Sequence, residues 1–203
     1  MPNKQRAEVA IVGAGIVGLA HAYLAARNGR SVVVFERSPK ASGASIRNFG
    51  MIWPLGQAAG LVHQLAVRSR ELWLELLEQG HLPFCRNGAL YLAYRDDEEA
   101  VGQEFSEIGP PSGYRCEWIE PTCALQKTRA VKAEGLRGAL WGPDEITVDP
   151  GVVLARLPEY LAEQRGVQFR FGCAVRAVEL PLIEAGTECW QTDYAIILRG
   201  RRL

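Results

Sequence analysis

Three glycines and one carboxylate carry the chemistry most directly legible in this chain. Gly13, Gly15 and Gly18 are spaced G-x-G-x-x-G at the end of an apolar run that begins after Glu8. Glu36 closes a second apolar run, Val32 to Phe35. Each part has a task in holding an adenine dinucleotide. Gly13 permits a tight turn, Gly15 lets the backbone approach a pyrophosphate, and Gly18 lets a helix lie close on the preceding strand. With Ala14, Ile16 and Val17 between them, these residues bring unpaired N–H groups and a partial positive charge to the phosphates. Glu36 can accept hydrogen bonds from a ribose diol. Alone it reads as a solvated charge at a strand end. Its place roughly 20 residues beyond the turn, with Ala22 and Gly29 continuing the helix-packing pattern, favours the ribose reading.

The elements that must position these residues form a βαβ unit: strand 7–12, helix 16–28 and strand 31–35. Residues 37–50 are too polar for a core. From 57 to 79, Leu61, Leu65, Leu72 and Leu76 recur at helical spacing, with Val62, Trp73 and Leu77 beside them, and Gly80 ends the helix. The grammar then changes. Asn87-Gly88 between two apolar runs predicts a β-hairpin over 83–94. A short acidic helix over 96–108 starts at an Asp cap, and strands follow near 115–119 and 136–141. Asp149-Pro150 opens a helix over 150–165, which Pro158 should kink. Strands at 166–171, 174–180 and 193–198 close the pass. The fold class is α/β: a Rossmann-like nucleotide-binding domain with an inserted, incomplete antiparallel-sheet domain. Residues 1–80 and 149–203 belong to the first and 81–148 to the second.

Composition bounds the partners. The chain has 203 residues, with 23 basic and 23 acidic side chains. No basic block exceeds the terminal 199–202 region, so attraction to nucleic acid is not indicated. Residues 9–26 superficially resemble a secretory signal, but His21, Tyr23 and the three glycines interrupt them. No other run reaches the ~18 apolar residues of a membrane span. Five cysteines, Cys85, Cys116, Cys123, Cys173 and Cys189, form no C-x-x-C pair, which argues against a zinc knuckle or a disulfide framework. His21, His63 and His81 have no metal-ligand spacing, and no metal is expected. The expected location is cytoplasmic. The oligomeric state is not legible.

Over nearly its whole length the chain resembles the FAD-dependent oxidoreductases of the D-amino-acid oxidase, glycine oxidase and sarcosine oxidase superfamily. The glycine turn, the spacing from Ala22 to Gly29, and Glu36 are similar to its FAD turn. Residues 41–51 sit where members run a loop over the flavin diphosphate and ring. Val148-Asp149-Pro150 resembles the re-entry segment, and Ala174-Val175 falls where backbone groups meet adenine. The narrower signature Ser45-Ile-Arg-Asn-Phe-Gly-Met-Ile-Trp-Pro54 resembles a bacterial subgroup proposed to oxidise aminophosphonates. The resemblance implies FAD, a small amine substrate and O2: hydride passes to the flavin, water hydrolyses the imine, and reoxidation yields H2O2. Beyond the glycine turn and Glu36, it implies cofactor contacts at Arg37, Ala44, Ser45, Arg47, Asn48 and Val175. Arg47 could instead sit near a substrate acid group, or form a phosphate or loop-anchoring salt bridge. Catalytic residues are not assigned.

The chain also departs from the family pattern. Members are much longer, and their substrate-binding residues lie in a later half. After residues 194–198 relatives enter a Gly-Ala turn, whereas this chain reads Arg199-Gly-Arg-Arg-Leu203. One permitted codon choice for 198–203, read one base later, encodes Cys-Gly-Ala-Asp-Asp, so a frameshift is expected here. A truncated chain is expected to dissolve poorly or bind FAD weakly, and to lack turnover, because missing strands expose edges and apolar faces. Two other readings stand beside this one. An NAD(P)-dependent dehydrogenase would need further parallel βαβ units after Glu36, where this chain turns to hairpins. A nucleotide-binding fragment without catalysis is the third.

Overall fold

The computed structural model describes residues 5–41 and 43–198; the proposed frameshift tail, 199–203, lies outside them. The chain divides into two compact units, one of residues 1–49 with 149–203, the other Gly50–Val148. The first boundary thus falls near 49, where the sequence placed it at 80. The helix Leu61–Gln79 therefore lies in the inserted unit.

The first unit is built on a four-stranded parallel sheet in the order Gln168–Phe171, Val32–Glu36, Val9–Val12, Tyr194–Ile197. Val32 to Phe35 are all buried, as expected of a parallel strand covered on both faces. The helices Ile16–Arg27 and Pro150–Arg165 pack on one another. Leu19, Ala22 and Tyr23 on the first, and Val153, Leu157 and Leu161 on the second, are buried at helical spacing. The second helix opens on Asp149, whose Oδ1 accepts from the N–H groups of Gly151 at 2.8 Å and Val152 at 3.1 Å. It runs through Pro158, which is buried within it.

A second sheet in this unit is ordered Gln5–Arg6, Glu188–Gln191, Leu182–Ala185, Val175–Glu179. The strands Leu182–Ala185 and Glu188–Gln191 are not in the sequence reading. Leu182–Ala185 is only four residues long and alternates exposed and buried, too short a pattern to stand out. Trp190 packs edge-on to Phe35, centroids 5.7 Å apart at 83°. With Ala7, Ala10, Val33, Ile183 and Ala185 the pair forms one core. Burying aromatic rings of this size dominates such a core energetically.

The inserted unit holds two three-stranded antiparallel sheets. In one, Ile146–Val148 lies between Met51–Ile52 and Phe84–Cys85; in the other, Gly138–Gly142 lies between Ala89–Ala93 and Glu117–Ile119. The hairpin expected at Asn87-Gly88 does not form. Phe84–Cys85 and Ala89–Ala93 both pair with the returning segment 138–148 rather than with each other. Gly88, at φ 62°, bends the outgoing strand, and its N–H donates to the Glu145 carbonyl at 3.0 Å. The Asn87-Gly88 turn chemistry thus serves a bend. The helix Asp96–Ile108 is present, capped differently from the Asp expected. Its N-cap is Arg95, and Glu98 Oε2 accepts from the N–H groups of Tyr94 at 2.9 Å and Arg95 at 3.2 Å. A short helix, Pro121–Lys127, completes the unit.

Candidate functional site

The glycine turn is forced by close backbone approach. Gly13 sits at φ 113°, and a Cβ there would lie 2.7 Å from the Leu198 carbonyl oxygen. A Cβ on Gly18 would lie 1.9 Å from the Gly13 carbonyl oxygen, closer than any side chain tolerates. Gly13 N–H donates to the Phe35 carbonyl at 2.7 Å, tying the turn to the strand that carries Glu36.

Glu36 faces this turn. Its Oε2 accepts from the Ala14 N–H at 3.0 Å, and its Oε1 from the Ser38 N–H at 2.9 Å. An ionised carboxylate has about four lone-pair sites, so each oxygen keeps a direction for a further donor. The segment carrying Val175 is drawn to the same corner. Gly172 N–H donates to the Ser38 carbonyl at 3.0 Å and Cys173 N–H to the Glu36 carbonyl at 2.9 Å. Val175 itself is half-buried against the core of Phe35 and Trp190.

The loop of residues 43–48 docks on the helix start through one side chain. Ile16 N–H donates to Ser45 Oγ at 3.1 Å, and a Cβ on Gly15 would lie 3.1 Å from that same oxygen. Gly15 and Val17 keep N–H groups without an acceptor among the described residues. Arg47 turns back on its own loop: its Nε donates to the Gly43 carbonyl at 3.2 Å. Ala44, Arg37 and Asn48 are exposed, Asn48 with a partner of its own.

The residues named from sequence therefore gather in two places. Gly13, Ala14, Gly15, Ile16, Val17, Gly18, Glu36 and Ser45 share direct contacts or the turn itself. Arg37, Ala44, Arg47, Asn48 and Val175 flank it. Missing from the sequence reading were Ser38, whose amide orients Glu36, and the Leu198 carbonyl, which fixes Gly13. A main-chain partner leaves no mark in residue type, so neither had a signal to find.

This is a dinucleotide-binding α/β unit interrupted by an antiparallel insert. A family model described as FAD dependent oxidoreductase matches residues 8–198, and the chain belongs to that family. FAD is the cofactor that this membership defines. A glycine oxidase of Geobacillus kaustophilus is 27% identical, the match covering 79% of this chain and 45% of that protein. A D-amino acid dehydrogenase of Vibrio cholerae is 26% identical, covering 83% and 53% respectively. Among solved structures, an L-proline dehydrogenase from P. horikoshii superposes with TM-score 0.83 at 23% identity, over 98% of this chain and 53% of that one. The chain thus spans about half the length of the relatives it matches.

The residues present fit FAD. Open amides at Gly15 and Val17 suit a diphosphate, and the spare acceptor directions of Glu36 suit a ribose diol. Among the described residues no cluster of His, Cys, Asp and Glu could hold a metal ion. No helix among them is long and apolar enough to cross a membrane.

Proposed function

We propose that the whole protein oxidises a small amine, an amino acid or an aminophosphonate, with FAD as the electron acceptor. The observation that carries the reading is the turn itself: Gly13 and Gly18 excluded from replacement by backbone contact, amides at Gly15 and Val17 without an acceptor among the described residues, and a carboxylate locked onto that turn. The relatives support the substrate class, since their names specify glycine, D-amino acids and L-proline. The aminophosphonate reading rests only on the run Ser45 to Pro54.

In this proposal each site residue has a physical task. The N–H groups of Gly15 and Val17 neutralise diphosphate charge, and the helix dipole adds to them. Glu36 orients the adenosine ribose, held by Ala14 and Ser38 so that it loses little freedom on binding. Ser45 keeps the loop 43–48 seated on the helix start, with Arg47 bracing that loop from within. Val175 closes the adenine end. Bound FAD supplies two-electron oxidation of the carbon bearing nitrogen; the protein supplies position and charge. The terminal electron acceptor is O2 in an oxidase and another carrier in a dehydrogenase, and the proposal commits to O2. The unit of residues 1–49 with 149–203 is assigned to FAD and the inserted unit, 50–148, to the substrate side. A cytoplasmic location fits five free thiols.

The experiment is direct. The purified chain is titrated with FAD and followed at the flavin band near ~450 nm. Peroxide is then measured with glycine, D-amino acids, proline and aminophosphonates. Binding of FAD that the substitution Glu36→Ala removes supports the cofactor reading. Saturable binding of a nicotinamide cofactor in its place overturns it, and peroxide formation identifies the substrate.

A further inference from the structure

Away from the nucleotide turn, the inserted unit buries a carboxyl group that the proposed reaction does not use. Glu145 is 2% exposed. Its Oε1 accepts from the Leu55 N–H at 3.1 Å, while its Oε2 is buried without a hydrogen-bond partner. Oε2 lies where a side chain at residue 142 would stand: a Cβ on Gly142 would be 2.3 Å from it. The neighbouring cations are committed elsewhere. Arg70, from the helix Leu61–Gln79, donates through Nε to the Asp144 carbonyl, and Arg115 holds Asp144 Oδ1 at 2.7 Å.

Glu145 is one of three side chains that clasp the segment 53–57. Trp53 Nε1 donates to the Tyr91 hydroxyl, and the two rings stack at 6.1 Å. The Tyr114 hydroxyl donates to the Gln57 carbonyl at 2.7 Å. Between these two, the only clasp on Leu55 among the described residues is the carboxyl.

We propose that Glu145 is a pH-operated latch: as a neutral acid it holds Leu55 and the segment 53–57, and on ionising it releases them to reach water. A buried neutral carboxyl with one unmet polar atom is tolerable; a buried charge without a cation costs far more. The groups facing it are Arg70, Tyr91, Cys116 and the adjacent Asp144. Burial is the largest influence and raises the Glu145 carboxyl above the usual glutamate range. Asp144 adds to this rise, and the Leu55 amide and Arg70 oppose it. Tyr91 and Cys116 are raised as well, by burial first and then by Glu145.

NMR on the full chain tests this without reference to flavin or substrate. The Glu145 carboxyl carbon and the Leu55 amide are followed together as pH rises. Both are expected to move with one midpoint above the usual glutamate range. Between the ordinary glutamate range and that midpoint, protection of the Leu55 amide against exchange, corrected for intrinsic rate, should fall by up to about tenfold per pH unit and then level off. Glu145→Gln, which keeps an acceptor and cannot ionise, should hold Leu55 protected throughout. A carboxyl titrating in the ordinary range, a Leu55 amide that stays protected after Glu145 ionises, or identical profiles for wild type and variant would each overturn the latch. If the variant does not fold, the two wild-type titrations decide the matter alone.

Discussion

The turn at Gly13–Gly18 and the clasped segment 53–57 solve similar problems with opposite materials. Both hold a short stretch of backbone in a fixed shape within a compact unit. In the turn, shape comes from side chains that are absent: Gly18 and Gly13 meet backbone oxygens at distances that admit no Cβ. In the segment, shape comes from side chains that are present, with Tyr91, Tyr114 and Glu145 each holding one residue. A site made of bare backbone leaves its amides free for a ligand. A site made of clasping side chains uses its polar groups on itself. The difference separates binding from positioning.

The sharpest way to break the comparison is at Gly18. Gly18→Val drives a Cβ into the Gly13 carbonyl, and should cost about 3 kcal/mol or more. FAD-dependent thermal stabilisation should disappear entirely. Next comes Glu36→Ala, which leaves the Ala14 and Ser38 amides unpaired. It should remove about 2 kcal/mol or more of stability and weaken FAD binding by at least about tenfold, as isothermal titration would show. A Glu36 variant with unchanged affinity would mean that the carboxylate only braces the turn.

The clasped segment should respond to pH instead. The folded chain holds the Glu145 proton to higher pH than the unfolded chain does, because burial raises that carboxyl. Its contribution to stability should therefore be fully present at acidic pH. It should fall as pH rises from the ordinary glutamate range through the raised value, by at most about 1.4 kcal/mol per unit. The difference in urea midpoint between wild type and Glu145→Gln should trace that fall. Tyr114→Phe removes one hydroxyl from the Gln57 carbonyl and should cost about 1 kcal/mol in the same assay. The smallest effect is expected from Arg47→Ala. The side chain is exposed and, among the described residues, holds only its own loop, so stability should change by less than about 0.5 kcal/mol. A large loss of FAD affinity there would show that Arg47 reaches the cofactor.

The same contrast explains what was legible in the sequence. The turn announced itself because its requirement for glycine is written in residue type, and because Glu36 lies at a spacing set by one βαβ unit. The parallel strands announced themselves as continuous apolar runs. The clasp did not, since residues 53, 91, 114 and 145 come together only after two sheets have formed. The misread hairpin has the same origin. Asn87-Gly88 marks a change of direction, but not whether the strands beside it pair with each other or with a segment some fifty residues later. Strands of four residues such as Leu182–Ala185 fall below what alternation can reveal.

The insert begins and ends on its own seam. Val148 N–H donates to the Gly50 carbonyl at 2.9 Å, and Met51 and Ile52 pair with Thr147 and Ile146. Its two termini are therefore fastened side by side, like the neck of a pouch. Material between them can be lengthened, shortened or exchanged while the parallel sheet still sees the same two chain ends at the same separation. Such a seam lets a lineage revise the insert and leave the glycine turn untouched.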